Sequence, residues 1–301
     1  MTSPTSTTGT KTGRARRQLG QLWQVPTFLL GLLAFIGVAA SAPWRHNPHR
    51  LAFDEQLSLL RKDLERDADP DNCVRLAETI LAKTASLRWR VAEVHFLAGS
   101  AYFRQALQKP APIAKDIWPR ASEQLDKALA QSPPETDRPA LQYRLGFALY
   151  QQNKDLRRSI ELMTASIEKG ADNPLDGYHA LVDANLRMTP INLDAALAAS
   201  RRVVDLTPEA QPDALAEARI KHAELLIRRE QRVDAIKVLE TINMRTKREL
   251  RVKARIMHAK ACMTEELYFN AVPIWQELIS DSKHVDGGLA YIWYELGWCY
   301  H

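Results

Sequence analysis

The C-terminal stretch WYELGWCY at residues 293–300 decides the fold. Its Trp293, Leu296 and Tyr300 are three or four residues apart, so in an α-helix they share one face. Gly297 lies on the same face and, because it has no side chain, allows a second helix to pack closely against the first. The stretch therefore predicts the first helix of a helical hairpin.

Related stretches recur towards the N-terminus at nearly regular distances. When each is aligned on its small residue at the Gly297 position, the steps between anchors are 47, 36, 41, 36 and 38 residues. The segments ARIKHA at 218–223 and ARIMHA at 254–259 are the best internal match, with an offset of 36. A fixed period of this length indicates an array of repeated supersecondary units. The anchors are Gly99, Gly146, Val182, Ala223, Ala259 and Gly297.

The pattern resembles the tetratricopeptide repeat (TPR), a helical hairpin of about 34 residues with a Trp-Leu-Gly-Tyr set in its first helix. The second helices follow the family's order of small and large residues, as at Ala121 and Leu125. The resemblance covers residues 88–301 and implies an all-α, TPR-like α-solenoid. With a degenerate hairpin expected at about 51–86, the repeat domain spans 51–301 and is cut off within its last repeat. A different helical-hairpin solenoid is the alternative.

The repeat register gives two local expectations. Prolines such as Pro139, Pro174 and Pro212 fall between the expected helices, where we interpret them as helix stops. Gln152, just beyond the last groove position of the second unit, is expected to face solvent.

The N-terminal segment differs in composition from the repeats. Residues 1–21 are rich in Ser, Thr and Gly and contain basic but no acidic residues, which predicts a disordered cytoplasmic tail. Residues 25–42 carry no charge and are flanked by Trp23 and Trp44, which predicts a transmembrane helix over 22–44. The preceding basic residues favour a single-pass inner (plasma) membrane protein with a cytoplasmic N-terminus and extracytoplasmic repeats.

A cleaved secretory signal peptide is the alternative for this segment. Small residues at 38–42 resemble a cleavage site. The length of the chain before the apolar span and the position of Pro43 directly after it favour an uncleaved anchor.

The net charge of +5 comes from the N-terminal segment. The first 50 residues hold six of the 41 basic residues and none of the 36 acidic ones. The repeats are therefore close to neutral, which argues against nucleic acid as a partner of the folded domain.

No motif for catalysis or for cofactor binding is present in the sequence. It lacks HExxH, a Gly-rich phosphate loop, CxxC and GxSxG. His222 and His258 occupy equivalent positions of adjacent units, where we interpret them as core or interface residues and not as metal ligands. We therefore expect no enzyme activity, no cofactor, no metal and no small-molecule substrate.

The TPR resemblance also implies a binding surface. In the family, the groove-facing positions lie three residues before the small anchor, then one, four and five after it. In the first two units these positions are mostly aromatic, and aromatic residues with arginine often anchor partners. The alternative is that a neighbouring helix covers these rings as ordinary core. The candidate groove residues are Phe96, Phe103, Arg104, Tyr143, Phe147, Tyr150, His179, Asp183 and Arg187.

These features together predict a membrane-anchored extracytoplasmic TPR scaffold that binds a protein or peptide in its groove and the membrane through residues 22–44. It resembles bacterial inner-membrane TPR proteins that hold partners in envelope assembly or secretion. The alternative is the N-terminal repeat region of a longer enzyme or signalling protein whose active domain lies beyond residue 301.

Overall fold

The computed structural model describes residues 48–66, 68–87, 90–170, 173–280 and 289–301. These residues form thirteen α-helices and no β-strand. The helices are α1 Pro48–Glu65, α2 Pro70–Leu87, α3 Val91–Gln108, α4 Ala111–Ala130, α5 Arg138–Gln151, α6 Leu156–Glu168, α7 Pro174–Arg187, α8 Leu193–Leu206, α9 Pro212–Arg228, α10 Arg232–Glu240, α11 Arg248–Thr264, α12 Tyr268–Ser280 and α13 Leu289–Tyr300.

The predicted cytoplasmic tail (1–21) and transmembrane helix (22–44) lie outside the described residues. Among the helices that the structure does describe, none is both long and apolar enough to cross a membrane. By its contacts the chain divides into two units, Met1–Leu59 and Leu60–His301, and all the clear repeats belong to the second.

The second unit consists of consecutive helical hairpins. Each of the pairs α3–α4, α5–α6, α7–α8, α9–α10 and α11–α12 packs together, and each pair contacts the next along the chain. The first helices of successive hairpins also touch, as between α3 and α5, α5 and α7, and α9 and α11. This nearest-neighbour packing is the arrangement expected for a TPR-like solenoid.

The small anchors lie where two helices approach most closely. A Cβ added at Gly99 would lie 2.6 Å from Cγ of Leu125, and one added at Gly146 would lie 2.9 Å from the Ser159 carbonyl oxygen. Both distances are too short for a real Cβ atom, so glycine is required for this approach. The predicted repeat register is thereby confirmed at these two anchors.

The last anchor differs from the others. No described atom lies within 4 Å of the Cβ position at Gly297, and Trp293 and Trp298 on the same helix are 56% and 53% exposed. Leu296 is buried against α12 in the core cluster that includes Trp275. One face of α13 is therefore packed, and the other has no helix from the described residues against it.

The prolines are better described as helix starts than as helix stops. Pro139, Pro174 and Pro212 occupy the first turns of α5, α7 and α9. The first turn has amides without an intrahelical acceptor, so a residue without an N–H loses nothing there. Pro119 and Pro273 lie inside helices, which sequence analysis did not predict.

Candidate functional site

Five aromatic rings from α3, α4 and α5 form one cluster, here called the aromatic cluster. The centroid of the Phe103 ring lies 5.5 Å from that of Trp118 and 5.7 Å from that of Phe147. Phe147 in turn contacts Tyr143 at 6.0 Å and Tyr150 at 5.7 Å. Most of these pairs meet edge to face, which adds about 0.5–1.5 kcal/mol per pair beyond burial of area.

The repeat register brings these rings together. Phe103 lies four residues after the anchor of α3, whereas Tyr143 and Phe147 lie three before and one after the anchor of α5. Because α3 and α5 pack side by side, these positions face each other across the helix pair. Phe103 and Tyr150 are each only 8% exposed, whereas Tyr143 and Phe147 are half-buried.

An open cavity of about 250 Å³ lies beside the aromatic cluster. We call it the aromatic pocket. Its walls come from α3 and α5, and the start of α7 completes its rim. Leu107 at this site is 55% exposed, so the pocket is accessible to a partner. Its lining residues are Phe103, Leu107, Ala140, Tyr143, Arg144, Phe147, Asn173 and Asp176.

Two polar residues of the aromatic pocket, Asn173 and Asp176, lie on its α7 side. The Asn173 side-chain amide donates to the Asp176 carboxylate at 2.6 Å. Burial, and secondarily the charge of Asp176, raises the pKa of Tyr143 to about 12. The Tyr143 hydroxyl therefore remains neutral and able to donate a hydrogen bond at physiological pH.

A second group of polar residues adjoins the aromatic cluster at Tyr150. The Tyr150 hydroxyl donates to Asp183 at 3.1 Å, and the Arg187 guanidinium lies 5.0 Å from the Tyr150 ring centroid. Arg187 also reaches Asp183 at 3.4 Å. Burial, followed by the Asp183 charge, raises the pKa of Tyr150. Three predicted groove residues thus form a tyrosine–aspartate–arginine trio.

The remaining predicted groove residues lie elsewhere. Phe96 is buried under the guanidinium of Arg144, which lies 5.3 Å from its ring centroid. Arg104 donates to the carbonyl oxygens of Asp63 and Leu64 in the last turn of α1. His179 is exposed on α7. Of the nine predicted residues, the structure therefore brings six into the cluster and the trio.

Sequence reasoning missed Trp118 of the aromatic cluster and five lining residues of the aromatic pocket, which are Leu107, Ala140, Arg144, Asn173 and Asp176. Trp118 lies on a second helix, which the groove positions of the family do not include. Leu107 lies one helical turn after Phe103, and Asp176 lies one helical turn before His179. Extending the groove positions by one turn at each end would therefore have found both.

The two histidines and the cysteines contribute to packing. His222 and His258 are 9% and 6% exposed, and burial lowers the pKa of both. A ring nitrogen of His222 hydrogen-bonds the Ser200 hydroxyl at 2.8 Å.

Within the described residues, no group of three or more His, Cys, Asp or Glu residues is placed to hold a metal ion. Cys262 is buried in the core, which raises the pKa of its thiol to about 11.

The hairpin geometry and the small anchors define the class of the molecule, which is a TPR-like repeat protein.

No family model matches the chain, and no curated protein matches it. Solved structures with a similar fold include the apo form of RapI, with a TM-score of 0.46 and 11% identity over 82% of this chain and 70% of that one. Others are the nearly identical TPR-like repeats of a Podosopora anserina kinesin light chain and a variant of the same repeats. Both have a TM-score of 0.39 and match 69% of this chain. The first is 18% identical and is matched over 96% of its own length, and the variant is 17% identical and is matched over 95%. Because these scores are below 0.5, the class rests on the geometry of the hairpins themselves.

Proposed function

We propose that this protein is a scaffold that binds a protein or peptide partner at the aromatic pocket and along α3, α5 and α7. The observation that carries the proposal is the pocket itself, in which aromatic rings line a cavity that remains open to solvent. Aromatic residues in a partly buried centre contribute most of the binding energy in many interfaces.

Photo-crosslinking tests this binding surface. We expect a benzoylphenylalanine at Leu107 of the full chain to form a discrete adduct in cells, because Leu107 lines the pocket and is 55% exposed. The same probe at Phe269, which is 96% exposed on α12, should form none. The cross-linked segment, synthesised as a peptide, should bind the purified protein, and Phe147→Ala should weaken that binding about tenfold or more.

Two results would contradict the groove assignment. One is equal adduct formation at positions 107 and 269. The other is a Phe147→Ala variant that binds the peptide normally. A thermal melt of Phe147→Ala separates lost binding from lost folding, because this ring also packs against Phe103.

We also propose that residues 22–44 anchor the chain in the inner membrane, with the repeats on the extracytoplasmic side. Support comes from the uncharged run over 25–42, its flanking tryptophans and the basic residues before it. This location would give the repeats access to partners in the cell envelope.

Reporter fusions test the topology. A reporter that is active only in the cytoplasm should give no signal when fused after Arg50, because the anchor would carry it across the membrane. The same reporter fused before Met1 is the matched control and should be active. Activity at both positions, or a soluble product that begins near Ala42, would refute the anchor.

A further inference from the structure

Tyr143 and Asp176 at the aromatic pocket correspond to the tyrosine and the aspartate of the tyrosine–aspartate–arginine trio, but no arginine corresponds to Arg187 there. Tyr143 and Asp176 lie seven residues, or two helical turns, before Tyr150 and Asp183 on the same two helices. Position 180, seven residues before Arg187, is occupied by Ala180. The chain therefore supplies the ring and the carboxylate at both places, but its own α7 supplies the arginine only at the second.

The surroundings of Tyr143 and Asp176 are suited to a cation. The plane of the Phe103 ring stands 64° from that of Tyr143 and 69° from that of Phe147, whereas Tyr143 and Phe147 are 32° apart. The rings therefore form two walls at a steep angle, one from Phe103 and one from Tyr143 and Phe147. Cations bind over such ring faces because the π-electrons are negative there. The Asp176 carboxylate at the rim is exposed and adds a full negative charge.

The one basic residue in the lining is bound elsewhere. Arg144 donates to the Ser100 hydroxyl, and its guanidinium lies over the Phe96 ring. Neither Ser100 nor Phe96 lines the aromatic pocket. The Arg144 guanidinium is thus engaged by groups outside the lining of the cavity.

We propose that the aromatic pocket binds an arginine side chain of the partner, with the guanidinium against the Tyr143 ring and paired with Asp176. This inference rests on the proposed function and specifies its partner as a peptide with an exposed arginine. Arginine suits the site better than lysine, because its planar guanidinium both stacks on rings and pairs with carboxylates. The volume of about 250 Å³ is below that of typical small-molecule sites and fits a single side chain.

Blocked amino acids serve as probes of the pocket on the full chain. N-acetylarginine methylamide should give saturation-transfer NMR signals, and the isosteric but neutral N-acetylcitrulline methylamide should bind about fivefold or more weakly. Asp176→Asn should weaken arginine binding about three- to fivefold. Asp194→Asn is the matched control, because Asp194 lies on α8 outside the aromatic pocket and pairs with Arg229, and it should leave arginine binding unchanged. Raising the salt concentration should weaken arginine binding in the same way that Asp176→Asn does.

Three outcomes would overturn the inference. The first is equal binding of the arginine and citrulline probes. The second is that N-acetylleucine methylamide binds more tightly than the arginine probe and that Asp176→Asn does not affect its binding. The third is that no probe binds. Each of them leaves the cross-linking result at Leu107 intact, so failure of the arginine site is distinguishable from failure of the groove. A thermal melt of Asp176→Asn verifies that the variant is folded.

Discussion

Gly146→Leu should lower the free energy of unfolding by about 3 kcal/mol, near the upper end of the usual cost of overpacking. A Cβ at this position would lie 2.9 Å from the carbonyl oxygen of Ser159 and 3.1 Å from the amide nitrogen of Met163. Both are backbone atoms of α6, so side-chain rotation cannot relieve the clash and the helix itself has to move. The Ser159 hydroxyl also donates to the Gly146 carbonyl at 2.7 Å, and separation of the helices would break this bond.

Gly297→Leu is the matched control for this change, since Gly297 is the equivalent anchor of the last helix. No described atom lies within 4 Å of its Cβ position. Leucine has a higher helix propensity than glycine, so stability should stay the same or rise by up to about 1 kcal/mol. Chemical denaturation of both variants, followed by circular dichroism, measures the difference. Equal losses in the two variants would mean that the close approach at Gly146 does not hold the α5–α6 hairpin together.

The repeat spacing predicted the helical hairpins because it depends only on contacts within a unit and between neighbouring units. The small residue at each anchor and the large residues around it are visible in the sequence, and together they determine which helix faces meet. The same local rule brought Phe103, Tyr143 and Phe147 together, since their offsets from two adjacent anchors place them on facing surfaces.

The environments of individual polar side chains could not be predicted in this way. Arg104 occupies a groove position, yet it binds carbonyl groups at the end of α1, which lies outside the clear repeats. Gln152, expected to face solvent, donates instead to the Trp118 carbonyl and the Ser122 hydroxyl of α4. Long flexible side chains can reach groups on several neighbouring helices, and repeat spacing contains no information about which of these groups they bind.

Trp275→Ala should destabilise the C-terminal hairpins by about 3–5 kcal/mol, because it removes the largest fully buried side chain among the described residues. Trp275 is 0% exposed, packs edge to face on Tyr291 at 6.2 Å and donates to the Met263 sulfur at 3.3 Å. It therefore joins α11, α12 and α13 in one core. Trp298→Ala is the matched control, because Trp298 is 53% exposed and should cost about 0.5 kcal/mol or less.

The nearest-neighbour packing of the hairpins determines which helices should unfold in Trp275→Ala. In a solenoid each unit contacts only its neighbours, so a cavity weakens the units around it first. Amide hydrogen exchange should therefore accelerate about a hundredfold or more in α11–α13 of Trp275→Ala, while α3–α6 exchange at nearly the wild-type rate. Equal acceleration along the whole chain would instead show that the repeats unfold as one cooperative unit. In the expected case the aromatic pocket stays folded, so Trp275→Ala should still bind the partner of the groove even though its C-terminal helices open.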